Sequence, residues 1–160
     1  MDELVFRRAK KALKLGLEAV SVGNFRFARD RFKESATAMP TAEAFTFWGW
    51  MEHRLGNTET AIDLCRQAIL RDPEFGNPYN DIGSYLIQQG KLDEAIPWLE
   101  KAKSAPRYEP RHFPHLNLAR VFMAKEMPVS ALKEFEHALA LAPGDPGILE
   151  SIRKIKESLN

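Results

Sequence analysis

Apolar residues recur three or four positions apart along most of the chain, which is the spacing of amphipathic helices. The stretch 76–109 shows the pattern most clearly. One helix is marked by Tyr79, Ile82, Gly83 and Leu86, and a second by Ala95, Leu99 and Ala102. Gly90 and Lys91 separate the two. Helices this short are marginal alone in water, where stability needs roughly 12 to 15 residues. The stretch therefore predicts a helical hairpin that buries its apolar faces against neighbouring hairpins.

Three further pairs of short helices are predicted around this hairpin. Helical periodicity runs from Glu3 to about Val22 and from Phe25 to about Met39. The helices of the second pair are separated at Gly56-Asn57 and those of the fourth pair at Glu126-Met127-Pro128. The second pair ends near Asp72-Pro73 and the fourth at Pro143. Three prolines, Pro78, Pro114 and Pro128, fall in predicted first helical turns, where a missing N–H costs little. Residues 146–160 predict a last amphipathic helix that covers the end of the stack.

One small residue opens the second helix of every pair, namely Ala28, Ala61, Ala95 and Ala131. The intervals between them are 33, 34 and 36 residues, a regularity that independent helices would not keep. The third pair reads Tyr79-x2-Ile82-Gly83-x2-Leu86 and then Ala95-x3-Leu99. This resembles the tetratricopeptide repeat, in which a W-x2-L-G-x2-Y segment precedes A-x3-F within about 34 residues. Four imperfect copies cover about residues 9–145.

The resemblance implies an all-α fold, a right-handed α-α superhelix that forms one domain over residues 1–160. The repeats are expected at about 9–41, 42–75, 76–109 and 112–145, with a capping helix at about 146–160. The interval of 36 places extra residues between the third and fourth hairpins, in the stretch 107–111, which predicts a longer loop there.

In the family that the sequence resembles, the first helix of each hairpin lines a concave groove that holds a peptide. Carrying those positions over gives a wide set that includes Thr46, Asn77 and Phe113. The residues predicted to bind the partner are Phe47, Trp50, Arg54, Asn80, Asp81, Ser84, Asn117 and Arg120. Two interpretations of Phe47 and Trp50 stay open, because they can anchor a partner or pack against the first repeat or the terminal helix. Chaperone-binding members of this family grip a C-terminal carboxylate with a clamp of Lys, Arg and Asn residues, and that clamp is absent here.

We expect a noncatalytic scaffold that binds a protein or peptide. One alternative is self-association into a homo-oligomer. Another is an adaptor of a bacterial pilus or secretion assembly, because the long junction between the third and fourth hairpins resembles that of pilus-assembly and secretion factors built from these repeats. A rival of another class is an enzyme or metal protein that uses His112, His115 and His137. We predict no catalytic residue, no metal site and no cofactor, since His115 lies at a packing position and Glu134 and His137 lie on a helix face expected to be wet.

Composition narrows the class of partner. The net charge is +1, so no overall field selects nucleic acid, although residues 1–41 hold nine basic and five acidic side chains against three and six in residues 42–75. No apolar run approaches the roughly 20 residues that cross a bilayer, and the first residues lack the pattern of a secretory signal. The single cysteine, Cys65, occupies a core position and forms no internal disulfide. We therefore expect neither nucleic acid nor a membrane among the partners, and we expect a cytoplasmic location.

Overall fold

The computed structural model describes residues 2–160, and within that range the chain folds into nine helices. They are α1 (Glu3–Ser21), α2 (Phe25–Ala38), α3 (Ala42–Arg54), α4 (Thr58–Arg71), α5 (Asn77–Gln88), α6 (Leu92–Ser104), α7 (Phe113–Ala124), α8 (Pro128–Leu141) and α9 (Pro146–Leu159). The first eight helices pack as four consecutive hairpins, and α9 packs on α8. The all-α solenoid predicted from the sequence is confirmed.

Small residues hold the two helices of each hairpin close together. Ala28, Ala61, Ala95 and Ala131 are fully buried, and Leu99 of α6 fills the space that a side chain at Gly83 of α5 would need. A Cβ atom at Gly83 would lie 2.4 Å from Leu99 Cδ2. The spacing of small residues therefore reflects the close approach of the paired helices.

Apolar side chains join each hairpin to the next. Ile82, Leu118 and Val121 belong to one buried cluster that spans the third and fourth hairpins. At the end of the stack, Ile148 and Ile152 of α9 pack with Ala138 of α8. The terminal helix therefore covers the apolar face of the last hairpin, as the sequence predicted. None of the helices within residues 2–160 combines the length and apolar character needed to cross a membrane.

The connection between α6 and α7, residues 105–112, is held against the earlier connection between α4 and α5. The Arg107 amide donates to the Glu74 carbonyl at 3.0 Å, and the Gly76 amide donates to the Arg107 carbonyl at 2.8 Å. The Arg107 guanidinium also forms an ion pair with Asp72. Tyr108 is buried against Gly76, where a Cβ atom would lie 2.7 Å from the tyrosine Cβ. The longer predicted loop is present, and it is an ordered part of the fold.

Candidate peptide-binding groove

A pocket of about 290 Å³ opens on the face formed by the first helices of the second, third and fourth hairpins. Side chains of α3, α5 and α7 and of the 105–112 loop surround it. The lining residues are Thr46, Phe47, Trp50, Asn77, Asn80, Asp81, Tyr108, Pro110 and Phe113. We refer to this set as the groove pocket. It combines aromatic rings with polar side chains, a mixture typical of sites that bind and orient a ligand.

Two aromatic residues of α3 contribute to the core and to the groove pocket at once. The Phe47 ring stacks on Phe32 of α2, with ring centroids 5.2 Å apart and an angle of 21° between planes. Trp50 is also half-buried, and both residues pack against the cluster that contains Met51. Each of them also lines the groove pocket. The first repeat therefore supports these rings from behind, and part of each ring is left to line the groove pocket.

Phe113 differs from those two rings because it is exposed to solvent over much of its surface. It is the first residue of α7 and 44% exposed. Its only ring contact within residues 2–160 is with the neighbouring His112, at 4.6 Å between centroids. The Phe113 ring thus supplies apolar surface at the rim of the groove pocket that the core of the protein does not use.

Asparagines on neighbouring first helices are joined across the groove. The Asn117 amide nitrogen donates to Asn80 Oδ1 at 2.9 Å, and Arg120 donates to Asn117 Oδ1 at 3.4 Å. Asn80 and Asn117 are both buried. The bond occupies the Asn80 oxygen, and the Asn80 amide nitrogen has no acceptor among residues 2–160. That nitrogen is a donor available to the main chain of an extended peptide.

Asp81 is the one charged residue among the described residues that line the groove pocket. Burial raises the pKa of its carboxyl group from 3.8 to about 7. The carboxylate lies near the Tyr108 hydroxyl, and burial together with this negative charge raises the pKa of Tyr108. Within residues 2–160 the Asp81 side chain forms neither a hydrogen bond nor an ion pair. A partly enclosed carboxylate without a partner is unusual.

The structure brings some of the predicted partner-binding residues together and separates others. Phe47, Trp50, Asn80 and Asp81 line the groove pocket, and Asn117 is hydrogen-bonded to it. Three predicted residues lie outside its lining, namely Arg54, Ser84 and Arg120. The Arg54 guanidinium stacks over the Phe25 ring of α2 at 4.5 Å, and Arg120 lines a second cavity of about 340 Å³ beside α9. Ser84 lies half-buried on α5.

The predicted set did not include Tyr108 and Pro110, which bring the 105–112 loop into the groove pocket. Motif positions on helices cannot identify them, because the loop has no counterpart in the repeat. The available signal was the interval of 36 residues, which located the insertion without showing that it folds toward the groove.

His115, Glu134 and His137 form a cluster whose ligand-type atoms all lie within 4.8 Å of one another. The expectation that Glu134 is wet is wrong, since Glu134 is buried between α7 and α8. It accepts a hydrogen bond from Lys103 at 3.0 Å and pairs with His115 Nδ1 at 2.7 Å. Burial raises its pKa, but these contacts outweigh burial and leave the pKa lowered. Lys103 contacts Glu134 Oε1 and His115 contacts Oε2, so a metal ion bound between His115 and Glu134 Oε2 would replace the direct contact between these two side chains.

Cys65 is fully buried beside α5. Burial raises the pKa of its thiol, which keeps the group protonated and unreactive. The prediction of a core thiol is confirmed.

A family model described as tetratricopeptide repeat matches residues 13–76 and 54–110, which together are more than half of the chain. No curated protein matches the sequence. Among solved structures, PilF of Pseudomonas aeruginosa superimposes with a TM-score of 0.89 at 21% identity, over 98% of this chain and 71% of that protein. PilW, described as a type IV pilus biogenesis factor, superimposes with a TM-score of 0.83 at 18% identity, over 98% of this chain and 70% of that protein. A thermophilic tetratricopeptide repeat protein of Thermus thermophilus superimposes with a TM-score of 0.78 at 21% identity, over 95% of this chain and 83% of that protein.

Proposed function

The chain belongs to the tetratricopeptide repeat family, and on that premise we propose that it is a noncatalytic scaffold whose groove binds an extended segment of a partner protein. The observation that carries the proposal is the groove pocket itself. It is built from three successive first helices and the 105–112 loop, and it presents on one surface an exposed aromatic ring, an amide donor and a carboxylate, the last two without a partner within residues 2–160. Such a surface supplies both apolar contact and main-chain hydrogen bonds to an extended peptide.

Phe113 offers the cleanest test of this proposal, because its ring lines the groove pocket while 44% exposed. Peptides are first selected from a random 12-residue display library on the parent protein, and the affinity of the best peptide is then measured by calorimetry. We expect Phe113→Ala to weaken binding about tenfold, the effect of removing one aromatic anchor. The fold should persist, since replacing an exposed side chain usually changes stability by less than about 0.5 kcal/mol.

Phe27→Ala is the matched control. Phe27 is 43% exposed and lies on α2, on a different surface from the groove pocket. It should leave peptide affinity unchanged. A library that yields no peptide sensitive to Phe113→Ala, or equal losses in both variants, would contradict the proposal. Trp50→Ala extends the test, and its thermal midpoint must be measured alongside because Trp50 also packs in the core.

A second candidate is an adaptor that assembles with copies of itself in a bacterial pilus or secretion assembly. Exposed apolar side chains near the first hairpin support self-association, among them Leu4 at 75%, Val22 at 79% and Leu17 at 42%. The similarity in fold to PilW over nearly the whole chain is the reason for proposing a pilus assembly in particular. Sedimentation velocity over a hundredfold range of concentration separates the candidates, because a mass that stays that of one chain throughout would contradict self-association.

We propose that the scaffold works in the cytoplasm, because a single buried thiol is consistent with a reducing compartment. Fractionation of the native producing cell tests this, and recovery of the protein outside the cytoplasm would favour the pilus candidate.

A further inference from the structure

Among residues 2–160 the two buried acids are both paired, whereas the half-buried Asp81 has no partner. Glu52 on α3 accepts hydrogen bonds from Trp48 at 2.9 Å and Asn57 at 2.7 Å. Glu134 on α8 is held by Lys103 and His115, as described above. Asp81 has no such contact among residues 2–160, and burial raises the pKa of its carboxyl group. An unpaired carboxylate costs stability, so a role in binding accounts for its presence better than a role in folding does.

The neighbouring cations of the same chain are already engaged. Arg107 in the adjoining loop pairs with Asp72, and Arg111 donates to the Pro106 carbonyl at 2.8 Å. Arg120 on α7 donates to Asn117. No lysine or arginine lines the groove pocket within the described part of the chain. The carboxylate is therefore left facing a space that none of these side chains fills.

The walls of that space suit a positive charge. Four aromatic rings line the groove pocket together with Asp81, namely Phe47, Trp50, Tyr108 and Phe113. The faces of aromatic rings attract ammonium and guanidinium groups, and the attraction is stronger where water is partly excluded. The apolar stem of a long basic side chain also packs well against rings while its charged end reaches a carboxylate. The pocket thus combines one negative charge with an aromatic enclosure.

We propose that the groove pocket receives a lysine or arginine side chain of the bound segment, with Asp81 as the residue that pairs with its charge. The proposal rests on the proposed function, because the basic residue is one position of a segment held along the groove. The free amide donor of Asn80, one residue before Asp81, is placed to bond the main chain of the same segment. Recognition is then of an extended peptide with a basic residue at one fixed position.

The random 12-residue library tests this directly. Selection on the parent protein should give peptides that share a lysine or arginine at one position. The same selection on Asp81→Asn, which keeps the shape and removes the charge, should lose that preference. In the best peptide, replacing the basic residue by norleucine should weaken binding to the parent at least tenfold and should change binding to Asp81→Asn less than twofold.

Asp63→Asn is the matched control, because it removes the same charge from the exposed surface of α4, where Asp63 forms an ion pair with Arg66. It should bind every peptide as the parent does. Peptides that depend on Phe113 yet show no basic preference, or that bind the parent and Asp81→Asn equally, would overturn this inference and leave the proposed function intact. A library without any Phe113-dependent peptide would overturn both.

Discussion

At the scale of single residues, Asp81 is expected to make the stability of the protein fall as pH rises. Burial raises the pKa of Asp81 to about 7 in the folded state, from an ordinary value of 3.8. Between these values the unfolded chain has lost the proton while the folded chain retains it. The unfolded state therefore binds fewer protons, and the free energy of unfolding decreases over this window. The contribution fades only below the ordinary value of 3.8, where the unfolded chain also takes up the proton.

Asp81→Asn should remove this loss. We expect the variant to be more stable than the parent by about 1 to 2 kcal/mol at pH 8, an amount moderated because the groove pocket opens to water. At pH 4 the difference between the two proteins should be far smaller, because the unfolded carboxyl group is then only partly ionised. Urea titrations at pH 4, 6 and 8 measure the difference, with Asp63→Asn as the exposed control. Equal stabilities of the parent and Asp81→Asn at pH 8 would show that the carboxylate is well solvated.

At the scale of helices, the contact between α5 and α6 depends on the absence of a side chain at Gly83. A Cβ atom there would lie 2.4 Å from Leu99 Cδ2 and 2.5 Å from Leu99 Cγ. Gly83→Ala should therefore overpack the hairpin at a cost of about 1 to 3 kcal/mol. That cost exceeds the gain of up to about 1 kcal/mol that alanine brings to a helix interior.

Chemical denaturation of Gly83→Ala measures the net effect. Gly147→Ala in α9 is the control, since the nearest atom to its new Cβ would be Asp145 Oδ1 at 3.3 Å. The control should cost much less stability than Gly83→Ala, because the Asp145 side chain has to shift by only a few tenths of an ångström to admit the new Cβ. If Gly83→Ala were as stable as the control, the two helices would have to separate more easily than their packing suggests.

At the scale of the whole molecule, a stack in which each hairpin contacts mainly its neighbours should loosen locally. Ile152 on α9 is buried at 8% exposure against the last hairpin. Ile152→Ala should cost about 2 kcal/mol, the lower end for a buried isoleucine, because the site lies at the end of the stack. Hydrogen exchange should accelerate in α8 and α9 and stay unchanged in α1 to α4.

Leu149→Ala is the control on the same helix, where Leu149 is 46% exposed. It should leave exchange nearly unchanged along the chain. Acceleration spread evenly over all four hairpins by Ile152→Ala would indicate that the solenoid opens as one cooperative unit.

Local repetition explains how much of this molecule the sequence predicted. The helix limits of α1 and α2 and the prolines in first helical turns follow from periodicity and backbone chemistry, which depend on near neighbours. The recurring alanines also predict which helices pair, because the same close contact is repeated in every hairpin. The residues that line the groove pocket were predicted less completely. Motif positions identify the face of a helix, but they do not determine which side chains on neighbouring helices meet.

By itself, the sequence determined an all-α stack of four hairpins and a capping helix, because its small and large apolar residues recur with the period of the repeat. Only the tertiary structure decided that Arg54 and Arg120 lie outside the groove pocket and that Tyr108 and Pro110 line it. It also decided that Glu134 is paired across α7 and α8 while Asp81, among residues 2–160, is not. The physical reason is that these outcomes depend on contacts between residues distant in sequence, which the period of a repeat does not encode.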